Sequence, residues 1–120
     1  LTCHDEYLLP TMVQGVDGAL VGFASFIPEM ITELYRMVCD GELKAAMEMQ
    51  MRINPLKDVV YGKGETTGDA HARMKAAMVL SGRMKSAVVQ PPIQQTKGKE
   101  LDDIQEALND AGLLLHQAAE

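Results

Sequence analysis

Leu1-Thr2-Cys3-His4-Asp5-Glu6, then Tyr7-Leu8-Leu9-Pro10-Thr11-Met12-Val13, then Gly15-Val16-Asp17-Gly18-Ala19-Leu20-Val21-Gly22-Phe23 form a compressed pattern within the first 26 residues. Leu1 to Cys3 and Ala19 to Gly22 are short apolar runs bounded by acidic residues and glycine, and such runs read as buried strands. The apolar segment from Tyr7 to Val13 has room for one short helix. A strand, a helix and a second strand make a crossover unit, which implies parallel strands buried on both faces. The acidic pair Asp5-Glu6 then falls just past the carboxyl end of the first strand. Parallel α/β folds bind their ligands there.

Two parallel strands alone leave unpaired backbone edges and uncovered faces. The pattern therefore predicts further strands outside this sequence, with the chain as the C-terminal part of a larger domain. Local chemistry agrees with a short first helix. A carboxylate at Asp5 or Glu6 suits the free N–H groups at its start. Pro10 is acceptable only in the first turn. Gly15 ends the helix, and Asp17-Gly18 turns the chain into the second strand.

From Pro28 the apolar spacing becomes helical. Ile31, Leu34 and Val38 share one stripe, with Pro28 suited to the first position and Gly41 to the stop. A second helix follows, with Leu43, Ala46, Met47, Gln50, Ile53, Leu56 and Val60 recurring at three and four. Pro55 inside it removes the bond to the Met51 carbonyl, so a kink is expected. Gly62 to Gly68 reads as a loop. Asp69 is the expected cap of a helix from Ala70 to Ser81, closed by Gly82, whose Met74, Ala77 and Met78 give a narrow face. Gln90-Pro91-Pro92-Ile93 is expected to be extended. A last helix runs from Lys99 to Ala111, with Leu101, Ile104 and Leu108 inward and Gly112 as its stop. The tail from Gln117 is expected to fray.

The whole chain has 120 residues, a formal charge of −6, nine methionines and two cysteines. One small domain fits that length. An acidic balance without a basic stripe argues against a nucleic-acid surface. No apolar run reaches the roughly 18 residues of a membrane span, and no signal-peptide pattern opens the chain. Cys3 and Cys39 sit on elements that read as buried, and reduced thiols are expected rather than a disulfide.

Taken in order, several segments resemble the C-terminal part of the dihydrodipicolinate synthase and N-acetylneuraminate lyase family. They are Asp5-Glu6, Gly15 to Gly22, Glu33-Leu34 with Gly41-Glu42 and Ala46, Asn54-Pro55-Leu56, Lys75-Ala76-Ala77 with Gly82, Pro91-Pro92-Ile93, and Leu101 to Leu114. None is diagnostic alone, but their order and spacing together are specific. The resemblance implies the end of a TIM (β/α)8 barrel: its last two strands and helices over 1–40, then a C-terminal helical extension over 41–120. It also implies a class I lyase, an aldolase or dehydratase, in which a lysine forms a Schiff base with pyruvate or a 2-oxo-3-deoxy sugar acid. An imine so formed acts as an electron sink. No organic cofactor is implied. Homo-oligomers, tetramer or dimer, and a cytoplasmic location are implied as well.

By the same resemblance, Asp5 and Glu6 match an acidic pair that holds substrate hydroxyls, a role suited to ionised carboxylates. Leu20 matches a position whose carbonyl faces the imine region. Gly22 matches one that is often a substrate-touching serine, and its missing hydroxyl argues against a sialic acid. His4 stands where relatives carry glycine or an apolar residue and is a candidate substrate contact. Gln90 replaces an arginine. No residue matches the Schiff-base lysine or its tyrosine, which lie upstream in the family: Lys44, Lys57, Lys63, Lys75, Lys85, Lys97 and Lys99 all read as helix or loop. The chain alone is thus expected to be inactive.

Plainer readings compete with these. Helix capping alone accounts for Asp5-Glu6. His4-Asp5-Glu6 lacks a third ligand at metal spacing, so no metal is expected. His71 and His116 read as surface or packing residues, and nothing marks either cysteine as a nucleophile. Gly62-Lys63-Gly64-Glu65 lacks the phosphate-loop order. The alternative to a lyase is a non-catalytic helical assembly or scaffold module derived from the barrel.

Overall fold

A computed structural model describes residues 1–62 and 67–114. Its contacts gather into two compact units, Leu1–Asn54 and Pro55–Glu120.

In the first unit the two predicted strands meet in the parallel sense. The Thr2 N–H donates to the Gly18 carbonyl at 3.0 Å, and the Leu20 N–H donates to the Thr2 carbonyl at 2.8 Å. These bonds pair Thr2 with Ala19 as an isolated parallel bridge. No longer strand forms among the described residues, which corrects the expectation of two full strands. The cause is local. The chain is still extended at His4 (φ −112°, ψ 112°) and at Val21 (φ −129°, ψ 147°), but each is followed at once by a 3-10 turn, Asp5–Tyr7 and Gly22–Ser25. Gly22 therefore opens a turn instead of closing a strand.

Helix α1 (Leu8–Val13) continues the first of those turns, with Pro10 in its opening turn, as predicted. The Thr11 hydroxyl donates to the Tyr7 carbonyl at 2.7 Å. Gly15 follows at φ +92°. Helix α2 (Pro28–Cys39) has proline first, as predicted, and buries Met30, Ile31 and Leu34, while Val38 is only half-buried. Both α1 and the Gly22–Ser25 turn pack on α2. Leu8, Phe23, Phe26, Ile27 and Leu34 are fully buried. Phe23 and Phe26 meet edge to face at 5.0 Å. Burying each such side chain stabilises the fold by about 1.5–3 kcal/mol.

Helix α3 (Leu43–Val60) carries Pro55 inside it, at the boundary of the two units. Its buried positions are Ala46, Met49, Gln50, Ile53, Leu56 and Val60. Leu43 and Met47, expected on that stripe, are each 51% exposed. Helical geometry explains the change. Steps of three and four from Ala46 lead to Met49, Gln50 and Ile53, so Met47 points elsewhere.

In the second unit α4 (Thr67–Leu80) packs against α5 (Lys99–Asp110). α4 starts at Thr67, so Gly68 is helical and Asp69 lies in the first turn instead of capping it. A carboxylate there still opposes the positive helix start. The remaining loop residues, 63–66, lie outside the described residues, as does the tail. Gln90 to Ile93 is a turn and not extended: the Ile93 N–H donates to the Gln90 carbonyl at 3.1 Å, and the Pro91-Pro92 bond is cis. Proline's fixed φ suits a turn corner as well as an extended strand. Cys3 and Cys39 are free, and both are exposed, against the burial expected for them. No described helix is long and apolar enough to cross a membrane.

Candidate functional site

The end of the parallel pair is tied by one carboxylate. Asp5 is 4% exposed, and its Oδ1 accepts the Phe23 N–H at 3.1 Å. That bond joins the turn after the first extended run to the turn after the second. A carboxyl oxygen at this buried place satisfies a backbone N–H that water cannot reach. Asp5 and Gly22, both expected site residues, are thereby drawn together, since Phe23 directly follows Gly22.

The other expected residues surround this link. His4 is exposed, its ring edge-on to Tyr7 at 6.2 Å. Glu6 is half-buried beside Asp5. Leu20 gives its N–H to the bridge and leaves its side chain 74% exposed. Gly22 is exposed, and its carbonyl accepts the Ser25 hydroxyl at 2.7 Å. Among the described residues no group of three or more His, Cys, Asp or Glu side chains gathers as a metal centre. None of the described lysines lies on the parallel pair: Lys44, Lys57, Lys75 and Lys99 are helical, and Lys85 and Lys97 are in loops.

One residue essential to this arrangement was not picked out as polar machinery by the sequence reading. Gln50 of α3 is 7% exposed, and its Oε1 accepts the Leu9 N–H at 3.0 Å. Its Nε2 donates to the Asp5 carbonyl at 3.4 Å and to Asn54 Oδ1 at 2.8 Å. Leu9 lies in the first turn of α1, where backbone N–H groups lack helical partners. The signal was present: a glutamine on an otherwise apolar stripe must find partners when buried.

The second unit holds its own buried charge. Arg73 is 5% exposed, donating to the Val60 carbonyl at 3.1 Å and to Glu100 Oε1 at 3.1 Å. Asp69, Arg73, Thr96, Lys97 and Glu100 share a polar hollow that includes none of the expected site residues. On α2, Arg36 gathers Glu33, Asp40 and Glu42. The hydrogen bond from Arg36 holds the Glu33 carboxyl below its ordinary value.

Known proteins resemble this chain along most of its length. A DapA-like lyase of Thermococcus kodakarensis is 30% identical over 104 residues, 87% of this chain and 34% of its own. A probable 2-dehydro-3-deoxy-D-pentonate aldolase of Escherichia coli is 26% identical over 111 residues, 92% of this chain and 35% of its own. An N-acetylneuraminate lyase of Mediterraneibacter gnavus is 22% identical over 103 residues, 86% of this chain and 32% of its own. Among solved structures, the E. coli prophage protein YagE in complex with pyruvate gives a TM-score of 0.81 at 24% identity, covering 94% of this chain and 37% of that one. Dihydrodipicolinate synthase from Bacteroides thetaiotaomicron gives 0.78 at 21%, covering 90% and 36%. The chain thus spans about a third of the length of these proteins and shares its fold with part of each barrel. The sequence profile of the dihydrodipicolinate synthetase family matches residues 1–111, and this chain belongs to that family.

Proposed function

We propose that this chain works with the rest of a (β/α)8 barrel as a Schiff-base-forming lyase on pyruvate or a 2-oxo-3-deoxy sugar acid. In this reading residues 1–40 close the barrel and 41–120 form the helical extension. Family membership over residues 1–111 is the observation that carries it. The names of the relatives, an aldolase and a sialic-acid lyase, support the reaction class. YagE's complex with pyruvate supports the substrate class.

The chemistry divides between two parts of the whole protein. An amine outside this chain condenses with the substrate's 2-oxo group and releases water. The protonated imine then takes the electron pair of the breaking carbon–carbon bond, or, in a dehydratase, the pair left when a base removes the C3 proton, and the enamine so formed expels the C4 hydroxyl, which leaves as water once protonated. This chain supplies recognition. Asp5 fixes the rim through Phe23, Glu6 accepts from substrate hydroxyls, His4 reaches the same mouth, and the Leu20 carbonyl and the bare Gly22 border the reacting end. Ionised acceptors at hydroxyls make charge-assisted bonds, so a hydroxylated acid fits better than a small aldehyde. Homo-oligomeric assembly in the cytoplasm completes the proposal.

Borohydride reduction of the full protein with pyruvate tests it. The expected result is a mass gain on one lysine outside these 120 residues. A full protein without any adduct on any lysine overturns the lyase reading and leaves the scaffold module.

A further inference from the structure

We infer that Gln50 is a positioning residue for the acidic turn: it sets where Glu6 sits, and so governs affinity for the hydroxylated portion of the substrate. The inference rests on the lyase reading above. Its basis is the way one side chain brackets that turn. Gln50 Oε1 takes the Leu9 N–H at 3.0 Å and Nε2 reaches the Asp5 carbonyl at 3.4 Å, so residues 5 to 9 are gripped at both ends. Glu6 lies between those two grips.

The grip is directional. Nε2 also donates to Asn54 Oδ1 at 2.8 Å, one helical turn along α3, which holds the carboxamide plane with its oxygen toward Leu9. Both amide hydrogens and the oxygen are thus engaged, and the side chain is 7% exposed. On the opposite side the Asp5 carboxylate is bonded to the Phe23 N–H at 3.1 Å. The turn is therefore held from both flanks. A carboxylate that is to meet a substrate hydroxyl needs this kind of backbone support, because a small displacement weakens a short charge-assisted bond steeply.

No other residue type reproduces all three bonds. Glutamate at this position keeps an acceptor for Leu9 but has no donor for Asp5. Leucine fills the space and makes none. Asparagine carries the same group on a shorter stem.

The experiment compares wild-type full protein with Gln50→Leu, Gln50→Glu and Gln50→Asn. Two quantities are read on each: half-saturation by pyruvate in borohydride trapping, and KM and kcat for cleavage of 2-dehydro-3-deoxy-D-pentonate. The expected result for Gln50→Leu is a KM for the pentonate raised about tenfold, with pyruvate half-saturation and kcat changed less than about twofold. Gln50→Glu shows the same split, and Gln50→Asn recovers part of the affinity. A purely structural role lowers the active fraction, so apparent kcat and the amplitude of pyruvate trapping fall while the pentonate KM stays unchanged, which overturns the inference, as does a rise of pyruvate half-saturation and pentonate KM together. Wild-type protein that traps pyruvate but neither binds nor cleaves the pentonate also overturns it, while leaving the lyase reading standing. Wild-type protein that takes up no pyruvate overturns both.

Discussion

Asp5 holds two turns together with one carboxylate, and that task needs no ligand. Its bond to the buried Phe23 N–H, at 3.1 Å, makes it part of the fold in the absence of any substrate. Asp5→Ala removes that acceptor and is expected to cost about 1–3 kcal/mol in urea unfolding. Asp5→Asn keeps an oxygen in place and loses less. Glu33 behaves differently, because it lies at the surface. The hydrogen bond from Arg36 depresses its pKa below the ordinary 4.5. The interaction is therefore complete above that value and is lost as the pH falls through the depressed one. Glu33→Gln should lower stability slightly at pH 7 and leave it nearly unchanged at low pH, where the wild type has already lost the interaction, so the acid limb of a stability curve measured from neutral pH downward flattens. Asp5-Glu6 stood out in the sequence because an acidic pair after a short apolar run is a recognisable pattern. The partner of Asp5 did not, since a backbone N–H eighteen residues away leaves no mark in residue identity. Arg73 was hidden too: arginine on a helix normally reaches solvent, and nothing local announces its burial.

At the scale of elements, helix ends were easy to read, and among the starts of α2 to α5 only that of α4 differed, at Thr67 instead of Ala70. Helices α2, α4 and α5 each end at a glycine with positive φ: Gly41, Gly82 and Gly112. At each, the next residue's N–H reaches back to a carbonyl five positions earlier, as Glu42 does to Met37 at 2.8 Å. This is the Schellman arrangement, and it needs the left-handed backbone that glycine supplies. A Cβ at Gly41 would meet nothing within 4 Å, so Gly41→Ala isolates the backbone penalty, expected at about 1–2 kcal/mol. Gly18→Ala makes the contrast. Its Cβ would lie 3.2 Å from Leu1 Cδ2, the end of a side chain that is 78% exposed and can swing aside. Its cost should stay within about 0.5 kcal/mol. Paired denaturation curves distinguish the two. The strands were harder because a four-residue apolar run fits a strand or an extended entry into a turn equally well. The proline pair was misread for a related reason: extended and turn conformations share the same fixed φ.

For the molecule as a whole, what the sequence carried was order. Short segments spread along the chain pointed to one family, and the family profile matches residues 1–111. Composition and charge alone reached only an acidic chain without a basic stripe. The parallel sense of the Thr2–Ala19 pairing was legible from the crossover length, whereas the division at Asn54 was not, because α3 runs through it without a break in helical pattern. The lyase reading makes a prediction at this scale: residues 1–120 by themselves yield no pyruvate adduct under borohydride, and the full protein does. An adduct on any lysine of the isolated chain would reverse that division of labour.

Cys3 and Cys39 are both free and open to solvent, and their places differ. Cys3 adjoins the bridge residue Thr2 and precedes His4, while Cys39 ends α2. A fluorophore on the first would sit beside the acidic turn, and one on the second would serve as an internal reference. The chain carries its own pair of attachment points for following the surroundings of that turn.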